Sequence, residues 1–147
     1  MTRSVANDLT LARNNDRIAM ATAVTHHIRV NVKVHFEAAQ SDPKVGRFLF
    51  NYRITITNNG QRPVQLMRRH WYINDSLSPQ REVEGPGVVG ETPELGPGDA
   101  FSYNSFCDLR SGFGRMQGTY LMRNLDDDST FDVRIPSFEL QWPWTAN

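Results

Sequence analysis

Ile28-Arg29-Val30-Asn31-Val32-Lys33-Val34-His35-Phe36 decides the fold class. Apolar side chains take every second position, with Arg29, Asn31, Lys33 and His35 between them. An extended chain sends successive side chains to opposite faces, so this run is a strand with one dry and one wet face. A helix would need apolar spacings of three and four, which the stretch does not offer. Downstream, Ser41-Asp42-Pro43-Lys44-Val45-Gly46 supplies a break, and Phe48, Phe50, Tyr52, Ile54 and Ile56 then repeat the alternation. That second run ends at Asn58-Asn59-Gly60, residues that tolerate left-handed φ and suit a tight turn.

The pattern continues to the C-terminus with interruptions. Val64–Ile73 reads as a strand whose apolar residues fall on both parities (Leu66, Met67, Trp71, Tyr72), as in a central strand or one that changes face. Residues 78–99 are dense in Pro and Gly, and allow at most short strands near Gln80–Glu84 and Val88–Glu91. Phe101 and Tyr103 mark another strand, and Cys107 to Gly114 reads as a loop. Met116, Gly118, Tyr120 and Met122 alternate, Asn124–Ser129 is an acidic turn, and Phe131, Val133 and Ile135 alternate again. Pro136 is expected to end that run or to mark an edge. Many short strands without an amphipathic helix predict an all-β sandwich of about seven to nine antiparallel strands, a small barrel being the alternative.

Composition sets the outer limits. A chain of 147 residues, 39% hydrophobic and 22% charged, is one domain with enough apolar material for a core. No apolar run approaches the roughly 20 residues that span a bilayer, so no membrane insertion is expected. The single cysteine, Cys107, excludes an intrachain disulfide framework. Lys plus Arg and Asp plus Glu balance at 16 each, so no overall basic pull toward nucleic acid exists. Balance hides asymmetry: residues 1–70 carry a formal +7 and residues 71–147 a formal −7. Opposed halves suit a homodimer, unless folding interleaves them. Residues 1–25 have no apolar core of a secretory signal and read as a flexible N-terminal extension before one domain over 26–147. With no signal and a lone thiol, a cytoplasmic setting is expected.

Few residue groupings carry chemistry. Gly85-Pro86-Gly87-Val88-Val89-Gly90 fits G-x-G-x-x-G, a pyrophosphate cradle when a strand precedes it and a helix follows. Here Glu91-Thr92-Pro93 and Gly96-Pro97-Gly98 follow, Pro86 lacks an amide, and Glu84 and Glu91 would repel a phosphate. Dinucleotide binding is therefore rejected, and a weaker backbone-amide anion site stays open. Arg68-Arg69-His70-Trp71-Tyr72 is the densest basic and aromatic cluster; strand parity puts Arg69 and Trp71 on one face and Arg68, His70 and Tyr72 on the other. It is either a contact surface for an acidic partner or a core tryptophan beneath arginine stems. His27 and His35 share parity but sit roughly 26 Å apart along one strand, beyond a common metal ion. Asp126-Asp127-Asp128 lacks the ligand ladder of a calcium loop and reads as a solvated turn. Trp142-Pro143-Trp144 reads as a tail strapped over the sandwich. Neither a catalytic set, a metal site nor a cofactor is expected.

From about Ile28 to Leu140 the chain resembles the ApaG domain family. The resemblance rests on Tyr52–Asn58 leading to Val64-Gln65-Leu66, Arg69, Trp71 and Ile73, and on Val83–Gly90 followed by Pro93. It continues through Pro97-Gly98, Tyr103, Ser105, Gly114, Met116-Gln117-Gly118, Tyr120, Met122, Phe131-Asp132-Val133, Ile135-Pro136 and Phe138. It implies a fibronectin type III or immunoglobulin-like sandwich, protein–protein binding, and a genetic link to cobalt resistance and magnesium efflux. Pro86 stands where the family usually has glutamate, which argues against an acid acting there. The expected function is a non-catalytic binding module for an unidentified protein partner, with Gly85, Gly87, Gly90, Arg69 and Trp71 as the partner or anion site. The alternative is a pyrophosphate- or nucleotide-binding protein, or a phosphohydrolase, using the Gly85–Gly90 loop.

Overall fold

In the computed structural model, which describes residues 18–143, nine strands follow one another with two short 3-10 turns. They are β1 (Ile18–Thr25), β2 (Ile28–Phe36), β3 (Phe48–Asn58), β4 (Val64–Asp75), β5 (Ser78–Pro86), β6 (Glu94–Leu95), β7 (Ala100–Leu109), β8 (Phe113–Asn124) and β9 (Thr130–Gln141). One sheet runs β1-β2-β3-β7; the other runs β5-β4-β8-β9, with β6 also paired to β4. Every pairing is antiparallel. The protein is therefore an all-β sandwich. No helix among the described residues is long and apolar enough to cross a membrane.

The alternation in β2 and β3 does what it promised. Val30, Val32, Phe50, Ile54 and Ile56 have no exposure, and the facing sheet answers with Leu66, Tyr120, Met122 and Val133. Each such side chain contributes about 1.5–3 kcal/mol on burial. Near the middle, Tyr52, Trp71 and Phe138 pack as a triangle, with ring centroids 5.5–6.0 Å apart across the two sheets.

Three sequence expectations change, and a fourth is narrowed. The lead-in stops short of Thr25, because Ile18–Thr25 is β1, paired along its length with β2; residues 1–17 lie outside the described ones. Val88–Glu91 is a two-residue turn closed by reciprocal bonds of 2.8 and 2.9 Å rather than a strand. Cys107 to Gly114 is mostly strand: β7 runs to Leu109 and β8 starts at Phe113, so the turn that crosses from one sheet to the other is three residues, Arg110–Gly112. Asp75 makes so tight a turn possible by accepting from the Arg110 amide (2.6 Å) and the Ser111 hydroxyl (2.7 Å). Pro136 does not end β9 but does mark an edge, since β9 is the last strand of its sheet; the register between Met116–Gly118 and Ile135–Phe138 shifts there, a bulge that absorbs a residue without an amide.

The mixed parity of β4 has a similar cause. A register shift between Leu66 and Arg68 makes Met67 the extra residue, so Val64 and Leu66 face inward before it and Trp71 and Ile73 after it. At the C-terminus, Trp142 lies edge-on to Phe48 at 5.3 Å and its amide bonds Gly112 O at 2.7 Å. The strap reading holds for Trp142; Trp144 lies outside the described residues. Folding also interleaves the opposed charge halves: Arg62 pairs with Asp126 and Asp127, and Arg68 with Glu84.

Candidate functional site

The glycine loop is built from below by Arg69. On β4, Arg69 stands opposite Gly85 of β5, where a Cβ would come within 3.3 Å of its guanidinium. The bare glycine lets that guanidinium pass under the strand and donate to Pro86 O (2.9 Å) and Gly87 O (3.0 Å). Gly87 itself has φ 62°, and a Cβ there would lie 2.2 Å from Glu91 O. The turn that follows places Val89 at φ 44° and Gly90 at φ 81°. Two successive left-handed residues make a type I′ turn, suited to glycine and asparagine. A β-branched Val89 there stores on the order of 1–3 kcal/mol of strain. The result is a buried Val88 beneath a Val89 that is 55% exposed.

The loop has little left for a phosphate. Gly87 N is bonded to Met67 O, Val88 N to Glu91 O, and Glu91 N to Val88 O, while Pro86 has no amide. A helix does not follow, so no dipole points at the loop. The half-buried Arg69 cation spends donors on loop carbonyls. Of the five residues singled out from sequence, the structure brings Arg69, Gly85 and Gly87 into contact. Trp71 lies one inward step along β4, 3% exposed, in the core triangle. Gly90 sits at the tip, with no atom within 4 Å of its Cβ position.

What the loop walls is a groove of about 370 Å³ between the free edges of β5 and β7. Trp71, Ile73, Tyr52 and Met116 floor it. Val83 (39% exposed), Val89 and Phe106 (54%) form an apolar rim. At one end Arg81 of β5 reaches across to β7, donating to Asp108 O at 2.5 Å and lying 3.6 Å from Cys107 Sγ. This latch joins the two sheets at the groove.

Besides Arg69, Arg81 and Asp108, the thiol and the phenols around the groove stay neutral near pH 7. Burial pushes the Cys107 thiol up to about 11, with the nearby Arg81 pulling the other way. Burial also raises Tyr52, against a hydrogen bond from Ser105 that lowers it. Tyr103 and Tyr120 share a bond of 2.5 Å between their hydroxyls and are both raised, chiefly by burial. Such a set presents apolar surface and neutral hydroxyls, chemistry for holding a side chain. A second hollow of about 350 Å³ at the far end of the sandwich is lined by His26, His27 and Arg62, but Asp126 and Asp127 already engage that arginine.

Sequence reasoning missed Val83, Val89, Phe106 and Arg81. Phe106 was the legible one: it shares parity with Ser102, Asn104 and Asp108, all exposed, and so is an apolar residue on a wet face. Reading Cys107–Gly114 as a loop hid that parity. Val89 needs the positive φ of its turn, which no spacing announces.

The profile described as the ApaG domain matches residues 38–124. The ApaG protein of Anaeromyxobacter dehalogenans (strain 2CP-C) is 46% identical over 128 residues, covering 87% of this chain and all of the relative. That of Mesorhizobium japonicum is 45% identical over 126 residues, 86% of this chain and 96% of the relative. The crystal structure of an ApaA protein from Bordetella pertussis superposes with a TM-score of 0.77 at 38% identity, covering 84% of this chain and 99% of that one.

Proposed function

The chain belongs to the ApaG domain family, and on that premise we propose that it is a non-catalytic binding module whose groove between β5 and β7 receives a protein partner. One observation carries the reading: Val83, Val89 and Phe106, apolar and exposed, ring a single concave opening. Elsewhere on the surface, apolar residues scattered singly need no explanation; a contiguous rim over a hollow marks an interaction site. The role of the glycine loop is then to hold Val89 outward. Arg69 and Trp71 act from beneath, as positioning residues. Any influence on cobalt or magnesium efflux runs through the partner. Supporting that, among the described residues no group of three or more His, Cys, Asp or Glu converges on a point.

Partner capture by crosslinking tests the reading. Val89→Asp and Phe106→Asp each place a charge on the rim without touching the core, so neither should lower urea stability by more than ~0.5 kcal/mol, and Val89→Asp should raise it by easing the left-handed φ. Capture should fall about tenfold or more, the size of one lost anchor contact. Undiminished capture by both variants overturns the site. Calorimetric titration with Mg²⁺ and Co²⁺ should give no heat of binding; a saturable heat would move the metal link onto this chain.

A further inference from the structure

We propose that β7 is a docking edge: an extended segment of the partner protein, alternating apolar and acidic residues, adds beside it as a new strand. This deepens the groove reading and rests on it.

Four strands end the two sheets, and three of them are protected. β1 and β9 close on each other, with the Arg134 amide donating to Thr25 Oγ1 at 3.1 Å. β5 carries Pro79 and Pro86 and the charges of Arg81, Glu82 and Glu84, the residues that blunt an edge. β7, Ala100-Phe101-Ser102-Tyr103-Asn104-Ser105-Phe106-Cys107-Asp108-Leu109, has no proline and no basic residue, and among the described residues pairs only with β3. A long edge without such devices is a template for another strand.

The direction of its free groups is fixed. Arg81 takes the Asp108 carbonyl, so that carbonyl points away from β3. In an antiparallel strand, N–H and C=O of every second residue point the same way. Ser102, Asn104 and Phe106 therefore offer their backbone groups to the open side, and all three are exposed. A strand added about 4.8 Å beyond β7 lies across the mouth of the groove. Its inward side chains enter between Val83 and Val89 over Trp71.

Charge selects the other face. The outer face of the β1-β2-β3-β7 sheet displays Arg29, Lys33 and Arg53, none of which is paired with a carboxylate among the described residues. Its one acid is Asp108, already engaged by Arg81. Arg53 donates to Asn104 Oδ1 of β7 at 2.8 Å, which sets its guanidinium over that strand with donors to spare. Outward side chains of an added strand meet that cation, so acids are favoured there.

The test is selection on the whole chain from a displayed library of random peptides about nine residues long, enough to cover the edge. Enriched sequences should alternate apolar and acidic residues. A synthetic representative should slow amide hydrogen exchange at Ser102, Asn104 and Phe106 in the unaltered protein. Asn104→Pro removes an amide that faces out, leaving the β3 ladder intact, and should weaken binding about tenfold or more. Arg53→Glu should switch the preference from acidic to basic peptides. If selected peptides lose binding with Val89→Asp while Asn104→Pro and the three amides are unaffected, strand addition is overturned and the groove stands. If no peptide is enriched and Val89→Asp leaves partner capture intact, both readings fall.

Discussion

Gly87 and Gly90 are equal partners in the motif and unequal in the structure. At Gly87 a Cβ would sit 2.2 Å from a backbone oxygen; at Gly90 it would meet nothing. Gly90→Ala should therefore cost about 1 kcal/mol, the price of left-handed φ alone. Gly87→Ala should cost clearly more, since the backbone of Glu91 must also move, and equal urea midpoints for the two would contradict this. The motif was legible as glycines needed for a tight turn. That Gly85 exists to admit the Arg69 side chain was not, because the arginine lies 16 residues earlier and only the β4–β5 register brings them together. Asp75 is a second residue-scale case. It is buried, which raises a carboxyl pKa, but bonds from Arg110 N, Ser111 Oγ and Leu77 N outweigh this and hold it below its ordinary 3.8. With a depressed folded-state pKa, the stabilisation is present above about 3.8 and is lost as pH falls through the folded value. Acid titration of stability should show that loss below pH ~4. Asp75→Asn should make it shallower, the lowered carboxyls of Glu84, Asp126 and Asp127 supplying the rest, and an unchanged acid limb would sink the assignment.

At the scale of elements, β4 shows what periodicity conveys and what it hides. Apolar residues on both parities announced an irregularity; that one residue, Met67, causes it follows only from pairing with β8. Deleting Met67 restores strict alternation from Val64 through Ile73, so the sandwich should still fold, with a stability loss of no more than ~2 kcal/mol. The deletion also removes the carbonyl that holds Gly87 N, so exchange of the Gly87 amide should accelerate. Unfolding of the variant would show the bulge to be required by the sheet itself. β1 escaped the sequence reading for a different reason. Its inward residues are Ala19, Ala21 and Ala23, too small to make an apolar stripe stand out, and Ala19 and Ala21 pack against the core with β2 and β9 alongside.

At the scale of the molecule, the strand content and the sandwich were legible because alternation and turn signals are local. The pairing of edges was not, since it depends on which strands end up outermost. Removing β1 should matter for that reason: β2 would become an edge, β9 would lose its cover, and Tm should fall by on the order of 10 °C. A thermal scan of the chain starting at His26 would decide, and an unchanged Tm would mean that the sandwich closes without β1. The same edge logic gives the chain a clock. Cys107 is its one thiol, 5% exposed behind the Arg81–Asp108 latch, and almost wholly protonated at neutral pH with its pKa near 11. An alkylating reagent can reach it only when the latch swings clear, so the rate of labelling counts those excursions. Arg81→Ala should quicken the count and an occupant on β7 should slow it, which turns a buried side chain into a gauge of occupancy that needs no label of its own.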